Sequence, residues 1–190
     1  MTTALRPRYT VREYVLIEDA SIGVKHEYVS GEIYAMAGGS PEHAALTNAL
    51  ALLIGSHLRG GPCRTYSSDL RIAIAAAEVY TYADLTVVCD PIERDPASPS
   101  HVTNPRLVVE VLSPSTERYD REQKRLYYQQ LASLQEYLLV AQDRRRAEVF
   151  RRRGDDWDHE VIEGSGAVLL ASIDYSLPLA ALYDEAGVRT

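Results

Sequence analysis

The sequence predicts an α/β (α+β) fold, a mixed β-sheet flanked by helices. Three observations carry this. Two apolar runs, Asp84-Leu-Thr-Val-Val-Cys89 and Leu107-Val-Val-Glu-Val-Leu112, read as buried strands. Two longer stretches, one opened by Ser40-Pro41 and one by Ser113-Pro-Ser-Thr116, read as helices with an apolar side. No repeat, low-complexity tract or linker divides the chain. Its 190 residues and 46% hydrophobic content suit one well-cored domain, expected over 1–190, and are short for two.

The elements follow in order. Thr10-Val-Arg-Glu13 is a capping box, so a helix should start near Val11 and run to about Asp19. Lys25 to Met36 alternates around Ser30-Gly31 and reads as a hairpin. Ser40 is an N-cap with Pro41 at the first helical position. The helix should reach about Leu58, with Leu46, Leu50, Leu53 and Ile54 along one side and Gly60-Gly61-Pro62 as its stop. Strands are expected at Cys63–Ser67, Leu70–Ala75 and Asp84–Cys89. Asp90 to Asn104 reads as a mobile loop over a hairpin that joins the two apolar strands. Arg106–Leu112 is the most apolar strand, followed by a helix to about Leu131. Glu136–Ala141, Ala147–Arg152, Trp157–Ile162 and a stretch near Ile173 are further strands. A short helix spans Pro178–Tyr183.

The two apolar runs carry the chemistry. Each contains a carboxylate, Asp84 and Glu110, and an ionised carboxylate in a buried strand is costly unless something pairs with it. Side by side, the strands would bring both acids together as hard oxygen donors suited to Mg²⁺ or Mn²⁺. Alone, Asp84 reads better as a strand-end cap or the partner of an arginine such as Arg71 or Arg106 than as a metal ligand. Glu110 lies in mid-strand among Val and Leu and does not.

The chain has 18 arginines and only two lysines, Lys25 and Lys124. A lysine then reads as a place where a compact, tunable ammonium is wanted, Lys124 more than Lys25, with coding bias that left two behind as the alternative. At 100° per residue, Asp120, Tyr127, Tyr128, Leu131 and Glu117 share the face of Lys124. That face should meet the sheet, pointing Lys124 at the carboxylates or pairing it with Asp120. Phosphodiester hydrolysis asks for such a set. Carboxylates hold a divalent ion, and a lysine positions water or stabilises developing negative charge.

At these residues the chain resembles the Uma-type restriction endonucleases of the PD-(D/E)XK nuclease superfamily. The matching segments are Tyr82-Ala-Asp-Leu85, Val108-Val-Glu-Val-Leu-Ser-Pro-Ser-Thr116, Asp120-Arg-Glu-Gln-Lys124, His26-Glu-Tyr-Val-Ser-Gly-Glu-Ile-Tyr34 and Ser68-Asp-Leu-Arg-Ile72. The resemblance implies a restriction-endonuclease-like core and a Mg²⁺ site (Mn²⁺ as substitute) from Asp84, Glu110 and a main-chain carbonyl near Val111. It adds Glu27 as a further acidic group and implies a homodimer acting on DNA. The superfamily pattern has proline before the aspartate and lysine two residues after the glutamate. Here those positions are Ala83 and Leu112, so the lysine must come from the helix as Lys124. Ser30 stands where relatives commonly carry aspartate. The alternatives are an inactive nuclease-fold module for DNA binding or assembly, and a metal-dependent hydrolase of small phosphoesters.

The net charge of −7 argues against a protein that coats nucleic acid, though not against a nuclease. Arg144-Arg-Arg146 and Arg151-Arg-Arg153 bracket a strand about 23 Å apart, two end clusters whose alternatives are solvated strand ends and phosphate contacts. Among the 13 tyrosines, Tyr66, Tyr80, Tyr82, Tyr127 and Tyr128 read as core-edge packing or, alternatively, a base-stacking surface. His43 reads as a capping or partly buried histidine, with phosphate contact as the alternative. Cys89 reads as a reduced small hydrophobe. No zinc-like spacing, organic-cofactor motif, membrane-length apolar run or signal-like N-terminus is visible, and a cytoplasmic protein is expected.

Overall fold

A computed structural model describes residues 8–189. Helix α1 (Val11–Ala20) begins where its capping box requires, with both reciprocal bonds between Thr10 and Glu13 made. The hairpin of β1 (His26–Val29) and β2 (Glu32–Ala35) turns at Ser30 and Gly31, whose φ values of 46° and 94° suit a primed two-residue turn. Ser40 accepts from the His43 N–H and caps α2 (Pro41–His57).

The strands that follow are β3 (Cys63–Ser67), β4 (Arg71–Ile74), β5 (Val79–Tyr82), β6 (Leu85–Cys89), β7 (Arg94–Asp95), β8 (Ser98–Val102) and β9 (Pro105–Leu112). One helical segment then runs through α3 (Glu117–Tyr119), a π-turn (Asp120–Lys124) and α4 (Arg125–Tyr128). The chain continues through β10 (Glu136–Ala141), β11 (Arg146–Arg153), β12 (Asp156–Glu163), β13 (Ala167–Leu170), β14 (Tyr175–Pro178) and α5 (Leu179–Glu185).

The expected mixed sheet is realised as two six-stranded sheets, ordered β2-β1-β5-β4-β8-β7 and β12-β11-β10-β9-β6-β3, with β13–β14 as a separate pair. Each six-stranded sheet holds one parallel pairing, β4–β8 and β9–β10. The β9–β10 pair requires a crossover, and the segment α3–π–α4 supplies it. The chain crosses between the two sheets several times, and between β5 and β6 it does so through Ala83 and Asp84.

Strand β9 is buried on both sides, and its side chains divide between two cores. Leu107, Val109 and Val111 pack with Leu46, Leu50 and Ile54 of α2 and with Leu182 of α5. Val108 and Leu112 pack with Tyr128, Leu134 and Tyr137. Glu110 alternates with these last two and faces the same core. Burying each of the α2 side chains contributes roughly 1.5–3 kcal/mol, which fixes the helix on the sheet.

Several expectations are corrected. The predicted loop 90–104 contains β7 and β8, and β8 extends the first sheet beside β4, with His101 and Val102 buried. Its polar, proline-bearing sequence carries no strand periodicity, and pairing with an existing edge makes the strand. Strand β5, buried along its whole length, belongs to no predicted element. The strand expected near Ile173 is realised as two, β13 and β14, with Ile173 itself in the 3₁₀ turn between them. Cys89 is not a reduced hydrophobe. It forms a disulfide with Cys63, because the β3–β6 register sets the two cysteines directly opposite.

The arginine clusters are tied into the fold. Arg144, Arg145 and Arg146 pair with Asp143, Asp184 and Glu163, and Arg151 and Arg153 with Glu160 and Asp158. Arg152 donates to the carbonyls of Gln129, Leu131 and Leu134. Tyr80, Tyr82 and Tyr128 are buried, and Tyr66 and Tyr127 are partly buried against the second core, so packing accounts for them.

Candidate active site

The antiparallel β6–β9 register pairs Leu85 with Val109, so Asp84, one residue further out, comes opposite Glu110. The Asp84 N–H donates to Glu110 Oε2 at 3.3 Å, and the Val111 N–H donates to Asp84 Oδ2 at 2.7 Å. The two apolar runs thus bring their carboxylates together.

Lys124 completes the group. Asp120, Lys124, Tyr128 and Leu131 are buried, as the helix face predicts, whereas Glu117 is drawn aside to Arg121 at 2.5 Å. The π-turn closes with the Arg125 N–H bonded to the Asp120 carbonyl, a wide turn of a kind frequent at functional sites. Lys124 does not make the alternative ion pair with Asp120. Its Nζ lies 2.9 Å from Glu110 Oε1 and 3.2 Å from Glu27 Oε1. Glu27 comes from β1 in the other sheet, and the Thr81 hydroxyl donates to the same Oε1. All four residues named from the sequence and the resemblance therefore meet, along with the Val111 backbone.

Two side chains join them that sequence reasoning did not place in the site. His43, in the first turn of α2, lies with Nε2 3.0 Å from Asp84 Oδ2. The Tyr128 hydroxyl donates to Glu110 Oε1 at 3.2 Å. The signal for Tyr128 was its place on the Lys124 face. The signal for His43 was its position three residues after an N-cap, which fixes the direction of the ring but not what it meets. Leu112, where the superfamily pattern has lysine, packs into the second core.

Glu27, His43, Asp84, Glu110, Val111 and Lys124 line a cleft of about 540 Å³, together with Gly38, Gly39, Ser113–Thr116 and Asp120. Burial pushes the Glu110 carboxyl well above the ordinary range. Lys124 opposes that shift, while Asp84 and Asp120 add to it. For Lys124, burial works against the charge, but Glu110 and Glu27 outweigh it and hold the ammonium on. Asp120 is raised by burial, and His43 is raised chiefly by its bond to Asp84.

Four carboxylates, Glu27, Asp84, Glu110 and Asp120, thus face one lysine and one histidine. The donors are hard oxygens, and Asp84 Oδ1 carries no hydrogen bond or ion pair among the described residues. No three His, Cys, Asp or Glu side chains among the described residues form a cage by themselves. Mg²⁺ does not need one, since it is commonly held by one or two carboxylates while keeping several waters. The residues present fit a small divalent cation.

The fold is that of a nuclease-like α+β protein. A structure described as a putative nuclease belonging to DUF820, from Anabaena variabilis, superposes with a TM-score of 0.77 at 19% identity, covering 94% of this chain and 99% of that one. The chain belongs to the Uma2 family, described as putative restriction endonuclease, whose profile matches residues 11–180. Its relatives include the uncharacterized protein slr1290 of Synechocystis sp., 40% identical over 93% of this chain and 92% of its own. A second, sll1609 of the same organism, is 36% identical over 82% and 87%. No helix among the described residues is long and apolar enough to cross a membrane.

Proposed function

We propose that this chain is a Mg²⁺-dependent endonuclease that hydrolyses phosphodiester bonds in DNA, with Mn²⁺ as a competent substitute. The observation that carries the reading is Lys124 Nζ, held 2.9 Å from Glu110 and 3.2 Å from Glu27 beside the Asp84–Glu110 pair. A lysine so placed supports the reading with Leu112 at the strand position, because the ammonium reaches Glu110 from the helix instead of from the strand.

Asp84, Glu110 and the Val111 carbonyl would hold the ion. When bound, it supplies the charge that polarises a phosphate and eases deprotonation of water. Lys124 keeps a fixed positive charge where the phosphorane-like transition state gathers negative charge, and it can orient a water by donating a hydrogen bond. Glu27 keeps Lys124 in place through the shared oxygen and adds negative charge that favours a cation. Tyr128 holds Glu110 by its hydroxyl. A homodimer belongs to this reading by analogy with nucleases of this fold, which often pair to cut two strands. So does a cytoplasmic location, where DNA is at hand, although a disulfide such as Cys63–Cys89 is rare in that compartment.

The test is cleavage of supercoiled and single-stranded DNA with Mg²⁺ or Mn²⁺, comparing wild type with Glu110→Ala and Lys124→Ala, and calorimetry of Mn²⁺ binding beside it. Metal-dependent nicking in wild type, lost in both variants, is the expected result. No cleavage together with no Mn²⁺ binding overturns the proposal. Light scattering of the full chain checks the dimer.

A further inference from the structure

We infer that His43 is a positioning residue for Asp84, orienting its carboxylate so that one oxygen is kept for a divalent cation. The inference rests on the metal-site reading above and extends it to a residue on a third element, α2. Two donors converge on Asp84 Oδ2, the Val111 N–H at 2.7 Å and His43 Nε2 at 3.0 Å. With that oxygen doubly held, rotation of the carboxylate about its Cβ–Cγ bond is restrained, and Oδ1 is left without a hydrogen-bond partner among the described residues. Nε2 is then the protonated nitrogen of the ring. Ligating carboxylates are commonly fixed by hydrogen bonds of this kind, and their loss typically weakens metal binding about 10–100-fold.

The rest of the local structure is built around the ring. Ser40 accepts the His43 N–H at 3.1 Å and donates to Gln142 Oε1 at 3.1 Å, which ties the start of α2 to the segment after β10. On the other side stands Gly39. A Cβ there would lie 2.8 Å from His43 Nδ1 and 2.9 Å from Cγ, closer than such atoms approach. The φ of Gly39 is not positive, so the backbone itself would accept alanine, and what excludes it is the imidazole. Glycine at 39 leaves the ring the space from which it reaches Asp84.

The experiment is Mn²⁺ titration by calorimetry on the full chain, comparing wild type with His43→Ala, His43→Gln and Gly39→Ala, each checked for folding by circular dichroism. His43→Ala is expected to weaken Mn²⁺ binding about 10–100-fold. Glutamine can place an amide N–H near the Nε2 position, so His43→Gln should recover most of that loss. Gly39→Ala keeps the imidazole but displaces it and should fall between. Equal affinity in wild type and in folded His43→Ala or Gly39→Ala overturns this inference while leaving the metal site standing. If wild type takes up no Mn²⁺, the metal-site reading fails and this inference with it. A loss in His43→Ala that glutamine does not recover would also count against the hydrogen-bond role.

Discussion

Replacing Lys124 with methionine should destabilise the protein strongly at pH 8 and much less at pH 5. Methionine keeps most of the side-chain volume and removes only the ammonium. That group is 7% exposed and sits 2.9 and 3.2 Å from Glu110 and Glu27, whose side chains are 5% and 12% exposed. Removing one partner of a buried pair strands the other's charge and costs about 3–5 kcal/mol. At ~2–4 °C per kcal/mol for a chain of this size, Tm should fall by about 6–20 °C at pH 8.

The pH dependence follows from Glu110. Its folded-state carboxyl is raised above the ordinary value of 4.5, so between 4.5 and that raised value the folded protein keeps a proton that the unfolded chain releases. Stability from that proton is fully present below about pH 4.5 and is lost as pH rises through the raised value. Without Lys124 to oppose the shift, the loss reaches further and grows with pH. Lys124 itself is raised from 10.5, so its own titration lies above this window. Urea denaturation of both proteins at pH 5 and pH 8 gives the comparison. Adding Glu110→Gln to Lys124→Met should recover most of the loss at pH 8. Equal losses at the two pH values, or a loss below about 1 kcal/mol at pH 8, would refute the stranded-carboxylate reasoning.

Two further outcomes are expected. Tyr128→Phe removes a buried hydroxyl that donates to Glu110 Oε1 at 3.2 Å and to the Tyr82 carbonyl at 3.3 Å. It should cost about 1–3 kcal/mol in denaturant unfolding, and an unchanged midpoint would mean the hydroxyl does not serve the carboxylate. Reducing Cys63–Cys89, whose partners are 26 residues apart, should lower stability by about 3–4 kcal/mol through restored chain entropy. Titration of two free thiols in the native, unreduced protein would argue that the bond is not formed.

Much of this molecule was legible in its sequence, for reasons that are local. The capping box at Thr10 and Glu13, the Ser40-Pro41 start of α2 and the Ser30-Gly31 turn act within a few residues, and the structure has all three where they were expected. The two carboxylates announced themselves by costing energy inside apolar runs, and Lys124 by the arithmetic of a helix face. Where sequence reasoning failed, the missing information was pairing. Strands β5 and β8 and the Cys63–Cys89 bond follow from which edge lies beside which, and no periodicity records that.

The sequence by itself determined the types of groups available to the site, two strand acids and one inward lysine, because burial and helical period are properties of short segments. Only the tertiary structure decided that Lys124 engages Glu110 and Glu27 instead of Asp120, and that His43 reaches Asp84. Those choices depend on distances of a few ångströms between elements far apart in the chain. The β6–β9 register, the crossover helix and the first turn of α2 set those distances together.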